Sequence, residues 1–553
     1  MINGTDLKNA FISGTNNILK HKKAVNELNI FPVPDGDTGT NMSMTMSAAA
    51  RELEKQADGT VGEIAHTAAG ALLRGARGNS GVILSLLFRG FAKGMEGVES
   101  AGGANLVDAL ALGVEAAYKA VMKPTEGTIL TVSRVACEQG KAAAETDDDP
   151  VYIWSAICRG AREALEHTPE LLPVLKRAGV VDAGGQGLCL ILEGMLSVFR
   201  DGTIIPMEND AAAADSEDFF RNAAAEFDQE IHFTYCTEFI VGRDPECKKD
   251  PQDLRAFLES MGDCVLVVDD DDIIKVHVHT EDPGNALEAG LAFGQLLTVK
   301  IENMKEQHRQ AAKENEAAQA EHPVLAPAEP TEEIGFVAVA AGDGMKTLFT
   351  DLGCLHVVSG GQTMNPSTQE MLEAVLATPA KTVLLLPNNK NIIMAAEQTI
   401  PLAKDRKVIV LPTRTVPQGL SAMLAYNPDL STEANSVAMM EAASGVSTGT
   451  ITFAARDSEF GGKKIREGDV LGLINGKLEL VEKNRDVSRA CVKLTRSMMN
   501  RGTAFITLIY GADVSAEVAS ETCERIKSRL NGDVEVTLVN GGQPVYFYII
   551  SVE

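Results

Sequence analysis

The sequence predicts a multidomain chain: an all-α N-terminal domain, a middle α+β domain and a C-terminal α/β domain. Three observations carry that expectation. At 553 residues the chain exceeds what one hydrophobic core usually serves. The spacing of apolar residues changes twice, from helical in the first part to mixed in the middle to alternating strand and helix at the end. Polar, Ala- and acid-rich stretches at 208–218 and 306–333 mark the two seams.

Each block follows from its pattern. In 1–205, apolar side chains recur at helical intervals over 64–73, 80–93, 104–122, 126–145, 150–166 and 185–200, separated by Gly- or Pro-bearing breaks. Strand-like alternation is nearly absent, so this block reads as a bundle of about eight helices. The middle block, 217–305, mixes helices at 219–229, 251–261 and 284–296 with strands at 233–241, 264–268 and 273–279. Residues 306–333 read as a helical extension running into an extended linker. From Ile334 to the end at Glu553, strands at 334–341, 355–359, 382–387 and 407–412 alternate with helices near 366–377, 391–404 and 419–426. That grammar predicts a mainly parallel sheet. Ile474-Asn475-Gly476-Lys477 supplies a hairpin turn, and strands at 503–510, 533–540 and 545–552 follow.

Composition narrows the function. Seventy-seven acidic against 50 basic residues give a formal charge of −27, and no basic stripe offsets it, so nucleic acid is an unfavourable partner. No apolar run reaches the roughly 18 residues of a membrane span. Nine dispersed cysteines without a CxxC pair, and an N-terminus with neither basic nor apolar leader character, lead us to expect a cytoplasmic protein.

The most informative stretch is Pro-Asp-Gly-Asp-Thr-Gly-Thr-Asn-Met at 34–42. Asp35 and Asp37 put two carboxylates on one glycine-bearing turn, the oxygen-rich setting that a hard divalent cation prefers. Thr38, Thr40 and Asn41 add neutral donors and acceptors. Three further Gly/polar loops open helices: Gly75-Ala76-Arg77-Gly78-Asn79-Ser80-Gly81, Lys123-Pro124-Thr125-Glu126-Gly127-Thr128 and Val181-Asp182-Ala183-Gly184-Gly185-Gln186-Gly187. A glycine-rich turn at a helix start offers free amides and the positive end of the dipole to a phosphate. The competing reading of the second loop is a helix start capped by Asn79 or Ser80. No GxxxxGK[ST] loop, no GxGxxG after an N-terminal strand and no protein-kinase motif set occurs. In the middle block, His277 and His279 lie two apart on one predicted strand and Cys236 lies on another, a donor set suited to Zn²⁺. In the last block, the loops 358–367 and 387–391 follow strands, where parallel sheets place ligand contacts.

These residues carry a resemblance. Asn-Ile-Phe-Pro-Val-Pro-Asp-Gly-Asp-Thr-Gly-Thr-Asn-Met at 29–42, then 75–81 and 181–187, resemble the ATP-binding DhaL domain of the dihydroxyacetone kinase superfamily. In order and spacing the whole chain resembles the catalytic-subunit family of bacterial fatty acid kinase. The resemblance implies an eight-helix barrel holding ATP and two Mg²⁺ at its open end. Asp35 and Asp37 would be Mg²⁺ ligands. Thr38, Thr40 and Asn41 would neighbour metal and phosphate. Asn79, Ser80 and Gly81 would cradle phosphate, with Thr128, Asp182 and Gly184 on the nucleotide rim. Arg77 is the candidate for stabilising transferred charge. Dihydroxyacetone kinases place a third aspartate a few residues before the Asp-Gly-Asp unit, and Asn29 stands near that position here. The family also implies a Zn²⁺ site at Cys236, His277 and His279, and a C-terminal domain with the fold of the fatty-acid-binding partner, serving docking or assembly. The activity implied is a kinase giving acyl phosphate and ADP from a fatty acid held by a separate binding protein, and a homodimer is a further expectation. Two alternatives stand beside it: a kinase for dihydroxyacetone or a related triose, and a nucleotide-binding regulator without turnover.

Overall fold

The computed structural model describes residues 1–29, 37–121, 123–207, 233–244, 247, 249–269, 273–303, 325–361, 365–460, 463–530 and 534–553. Asp35 and the expected helix at 219–229 therefore lie outside the described residues. The chain divides into two compact units, one formed by 1–207 together with 325–553, the other by 208–324.

Ten helices are described in 1–207: α1 (Gly4–Lys20), α2 (Lys22–Glu27), α3 (Thr38–Lys55), α4 (Val61–Gly75), α5 (Gly78–Gly94), α6 (Gly103–Ala120), α7 (Ile129–Ala144), α8 (Pro150–Leu171), α9 (Pro173–Ala178) and α10 (Ala183–Asp201). Eight are long, and α2 and α9 have six residues each. The long helices pack in sequence order, and α10 returns against α1. Small residues set the spacing. A Cβ on Gly194 would lie 2.7 Å from the Gly14 Cα where α10 meets α1, and one on Gly90 would lie 2.4 Å from the Leu112 carbonyl where α5 meets α6. The Ala/Gly bias of this block is thus a close-packing requirement. Its interior centres on Trp154, fully buried, edge-on to Phe91 and Phe199 and donating from its indole N–H to the Leu192 carbonyl at 3.0 Å.

In the middle unit, β1 (Tyr235–Arg243), α11 (Pro251–Met261), β2 (Gly262–Asp269), β3 (Ile273–Thr280), α12 (Pro283–Leu291) and β4 (Gly294–Asn303) build one antiparallel sheet of order β2-β3-β1-β4. The helix expected to run to 296 stops at Leu291, and 294–303 is a strand. Gly294 forces the change: its φ is +156° and its α-carbon sits where a Cβ would meet the Gly242 carbonyl at 2.0 Å, seating the alternating Leu-Leu-Thr-Val-Lys-Ile run beside β1.

The C-terminal segment has two lobes. The first contains β5 (Glu332–Ala340), α13 (Asp343–Asp351), β6 (His356–Ser359), α14 (Thr368–Ala377), β7 (Ala380–Leu386), α15 (Ile393–Glu397), β8 (Lys407–Val410) and α16 (Val416–Leu424), its four strands all parallel in the order β6-β5-β7-β8. Both faces of β7 are covered: Val383 and Leu385 join the core that extends from the helical block, and Leu384 and Leu386 join a second core on the other face. A strand buried on both sides reads as an unbroken Val-Leu-Leu-Leu run for that reason. The helix expected over 391–404 is only Ile393–Glu397, followed by turns that end before Lys407. After α17 (Thr432–Gly445), a six-stranded sheet forms the second lobe in the order β13-β12-β9-β16-β14-β15. Its strands are β9 (Ser447–Phe453), β12 (Val470–Ile474), β13 (Lys477–Glu482), β14 (Phe505–Tyr510), β15 (Glu535–Asn540) and β16 (Tyr548–Val552), with α18 (Val487–Met498) and α19 (Ala516–Lys527) alongside and a short ribbon of β10 (Ser458–Phe460) and β11 (Lys463–Ile465). The expected hairpin is present: Ile474 pairs with Lys477, and Asn475 and Gly476 have φ of 48° and 79°.

The two parts of the larger unit meet along α4 and α5, against which α14 and α15 pack. The Thr368 amide donates to the Ala76 carbonyl at 3.2 Å, and the Arg456 guanidinium donates to the Glu27 carbonyl.

Candidate nucleotide and metal site

All four glycine/polar loops of the helical block open onto one cleft of about 420 Å³. Asp37, Thr38 and Asn41 line it from the start of α3, Asn79 and Ser80 from the start of α5, Lys123, Thr125 and Thr128 from the loop before α7, and Asp182 and Gly184 from the start of α10. Leu28, Ile83, Val121, Ile129, Leu130 and Leu175 supply an apolar wall.

The α3 start is shaped by Asn26, which the motif does not announce. Its side-chain carbonyl accepts the amides of Gly39 at 2.7 Å and Thr40 at 3.2 Å, and its amide donates to the Thr40 hydroxyl at 3.0 Å. Asn29 accepts the Thr38 hydroxyl at 2.9 Å. Thr40 therefore faces Asn26 and is not on the cleft wall. Asn41, 5% exposed, reaches the wall beside Gly78.

The capped-start reading of α5 is overturned. Its N-cap is Arg77 and no side chain caps it, so neither Asn79 nor Ser80 serves that purpose. The first amides of a helix have no partner within the helix, which leaves those of Gly78, Asn79 and Ser80 for something else. Gly78 is required here, with φ +58° and a position where a Cβ would lie 2.5 Å from the Asn41 amide nitrogen. The Asn79 side-chain oxygen is buried and accepts no hydrogen bond. Gly81 lies behind the wall, where a Cβ would meet the Thr45 hydroxyl at 2.4 Å.

At the α10 start, Asp182 accepts the Gly185 amide at 2.7 Å and also the Ile129 amide, joining the first turns of α10 and α7. Burial outweighs those two hydrogen bonds and pushes its carboxyl up to about 6. The 123–128 loop is fixed by Glu126, which accepts from Thr131 at 2.7 Å, Arg134 at 2.9 Å and Tyr118 at 3.1 Å; these hydrogen bonds hold its carboxyl below the usual range against the effect of burial.

Arg77 does not line the cleft. Its guanidinium donates to the Asn365 carbonyl at 2.8 Å and lies 3.2 Å from the Glu370 carboxylate. The Asn365 amide in turn donates to the Asp37 carboxylate at 2.6 Å. The C-terminal domain thus reaches the acidic loop, and its Lys390 and Asn391 complete the cleft wall. Sequence reasoning singles out the 358–367 and 387–391 loops only for following strands. Nothing local in them signals a surface some 300 residues earlier.

Oxygen donors suited to Mg²⁺ do gather here: the Asp37 carboxylate and the unpartnered Asn79 oxygen, with Thr38 and Asn41 beside them. Among the described residues, no three His, Cys, Asp or Glu side chains converge as a metal group. At the expected Zn²⁺ site, Cys236 lies directly across the β1–β3 ladder from His279, and Glu238 across from His277. The side chains of Cys236 and His277 lie outside the described residues.

An uncapped, glycine-rich helix start beside a carboxylate is the chemical setting that suits an anion and a hard cation together. Comparison with known proteins then gives the lineage. Residues 32–197 match the DAK2 domain, 232–311 match the middle domain of the FakA-like fatty acid kinase family, and 335–553 match the C-terminal domain of that family. The chain is 41% identical over 560 residues to Protein YloV of Bacillus subtilis, covering 100% of this chain and 99% of that one. It is 39% identical over 558 residues to the uncharacterized protein SAB1090 of Staphylococcus aureus, with the same two coverages. The chain belongs to the FakA-like fatty acid kinase family, within the dihydroxyacetone kinase superfamily. Among solved structures, a DegV family protein from Corynebacterium glutamicum matches 40% of this chain and 96% of its own length at 14% identity and TM-score 0.32. The dihydroxyacetone kinase from C. freundii in complex with AMP-PNP and Mg²⁺ matches 34% of this chain and 33% of its own at 21% identity and TM-score 0.27. Among the described residues, no helix is long and apolar enough to cross a membrane.

Proposed function

We propose that this chain is the ATP-dependent kinase of a fatty acid kinase system, phosphorylating the carboxylate of a fatty acid presented by a separate binding protein and releasing acyl phosphate and ADP. The observation that carries the reading is the pairing, across one cleft, of the Asp37 carboxylate with the uncapped start of α5. In this account the apolar wall takes the base, the α5 amides take the phosphates, and Asp37 holds Mg²⁺, with Asp35 added from the sequence motif. Mg²⁺, when bound, neutralises charge on the phosphates.

A fatty carboxylate is already ionised at neutral pH, so the transfer requires no general base. The acceptor oxygen forms a bond to the γ-phosphorus as the bond to the β–γ bridging oxygen breaks, and its electron pair leaves with ADP. The chain's part is alignment and charge complementarity. Arg77, held by Asn365 and Glu370, acts in this account through domain placement. The Cys236–His279 register supports a structural Zn²⁺ in the middle unit.

The test is an assay with ATP, a fatty acid and its binding protein, trapping product with hydroxylamine. Hydroxamate formed only with every component present is the expected result. Phosphorylated triose without the binding protein would favour the triose kinase, and nucleotide binding without any product would favour the regulator.

A further inference from the structure

We propose that Lys390, contributed by the C-terminal domain, is the cation that meets the terminal phosphates of the nucleotide, so that the phosphate end of the site is complete only with that domain docked. This rests on the kinase reading and adds a residue to it. Lys390 lines the cleft together with Asp37, Asn79 and Ser80, although it lies far from them in sequence. Its loop is rigid. The Asn388 amide nitrogen donates to the Thr413 hydroxyl at 3.1 Å, and its side chain donates to the Val339 carbonyl at 3.0 Å and accepts from Thr413 at 2.8 Å. Immediately after Lys390, the Asn391 amide donates to the Asn389 side chain at 2.9 Å, and α15 then packs against α5.

Between those anchors Lys390 is exposed and forms no ion pair among the described residues. The cleft's other described cation is Lys123, in the loop before α7, and its carboxylates are Asp37 and Asp182. In a chain of net charge −27, a cleft whose described lining carries as many lysines as carboxylates, one of those lysines on a pinned loop and outside any ion pair, suits an anionic ligand. The place where its domain meets the helical block points to which part of that ligand. Asn365 and Thr368, from the same domain, contact Asp37 and Ala76, so this domain borders the metal and α5 side. Lys390 acts as a fixed charge beside the transferring group.

The experiment compares equilibrium binding of adenosine, ADP and ATP, each with Mg²⁺, to the full chain and to Lys390→Gln and Lys390→Arg. The wild type is expected to favour ATP over ADP, and Lys390→Gln to shrink that preference about tenfold, the loss of one charge-assisted phosphate contact. Adenosine binding should stay constant, and Lys390→Arg should restore most of the ATP preference. An unchanged ATP-to-ADP ratio in Lys390→Gln overturns the assignment and leaves the kinase reading standing. A wild type that takes up no ATP overturns both.

Discussion

The Asn365 side-chain amide donates a 2.6 Å hydrogen bond to the Asp37 carboxylate, although 328 positions separate the two residues. Asp37 opens α3 in the helical block, and Asn365 lies just before α14 in the C-terminal domain. The backbone carbonyl of the same asparagine accepts from Arg77. One residue of the C-terminal domain therefore contacts both the acidic loop and Arg77 at the start of α5.

Replacing Asn365 tests the link to Asp37. Asn365→Ala removes a hydrogen bond to a charged group and should destabilise the docked arrangement by about 1.5–3 kcal/mol. Asn365→Asp sets a carboxylate against Asp37 and should do more. Hydrogen exchange over 365–372 reports the outcome, and unchanged protection in the aspartate variant would count against the contact.

Arg77 separates a positioning role from a catalytic one. A guanidinium spent on the Asn365 carbonyl and Glu370 should be replaceable by lysine at a cost of about 1 kcal/mol, or some fivefold in turnover. Arg77→Met should lower turnover together with domain docking. A loss beyond about a thousandfold in Arg77→Lys, with hydrogen exchange intact, would return Arg77 to the chemistry.

Gly78→Ala should weaken nucleotide binding and destabilise the chain by about 1–3 kcal/mol. The position has φ +58°, and the added methyl meets Asn41. Thermal unfolding and ATP affinity should fall together. A variant with wild-type values for both would show that the α5 start tolerates a side chain.

Asp182 gives a pH signature. Its carboxyl is raised to about 6, so the folded chain holds that proton more tightly than the unfolded chain does. The group therefore favours folding most below pH ~4, and its contribution is lost as pH rises through about 6, for a total of up to about 3 kcal/mol. Asp182→Asn cannot titrate there, and the amide bonds that it alters add an offset independent of pH. Wild-type Tm minus variant Tm should thus fall between pH 4 and pH 7. A flat difference would mean that Asp182 is solvated.

Much of this is legible in the sequence where the physics is local. Asp-Gly-Asp announces a carboxylate turn, four glycine-bearing breaks announce helix starts, and Asn475-Gly476 announces a hairpin. Leu384 and its neighbours announce a strand. Errors arise where a distant contact decides the outcome. Gln295 and Leu296 fit a helix until Gly294 brings that segment against β1. Ser80 is a good cap by type, yet the chain puts Arg77 at that position. Asn26 is invisible as a site residue, and Asn365 and Lys390 fall in loops singled out only for following strands, because nothing beside them in sequence states which surface they will meet. The α17 helix escapes sequence reading because its Ala/Met-rich run lacks a clear apolar stripe.

The most direct test of the central claim is calorimetric titration of ATP, with and without Mg²⁺, into the wild type and Asp37→Ala. Mg²⁺-dependent binding is expected for the wild type. In the variant, affinity should be at least about tenfold weaker and no longer respond to Mg²⁺, with helical circular dichroism unchanged. Equal, Mg²⁺-dependent affinity in Asp37→Ala would contradict the claim.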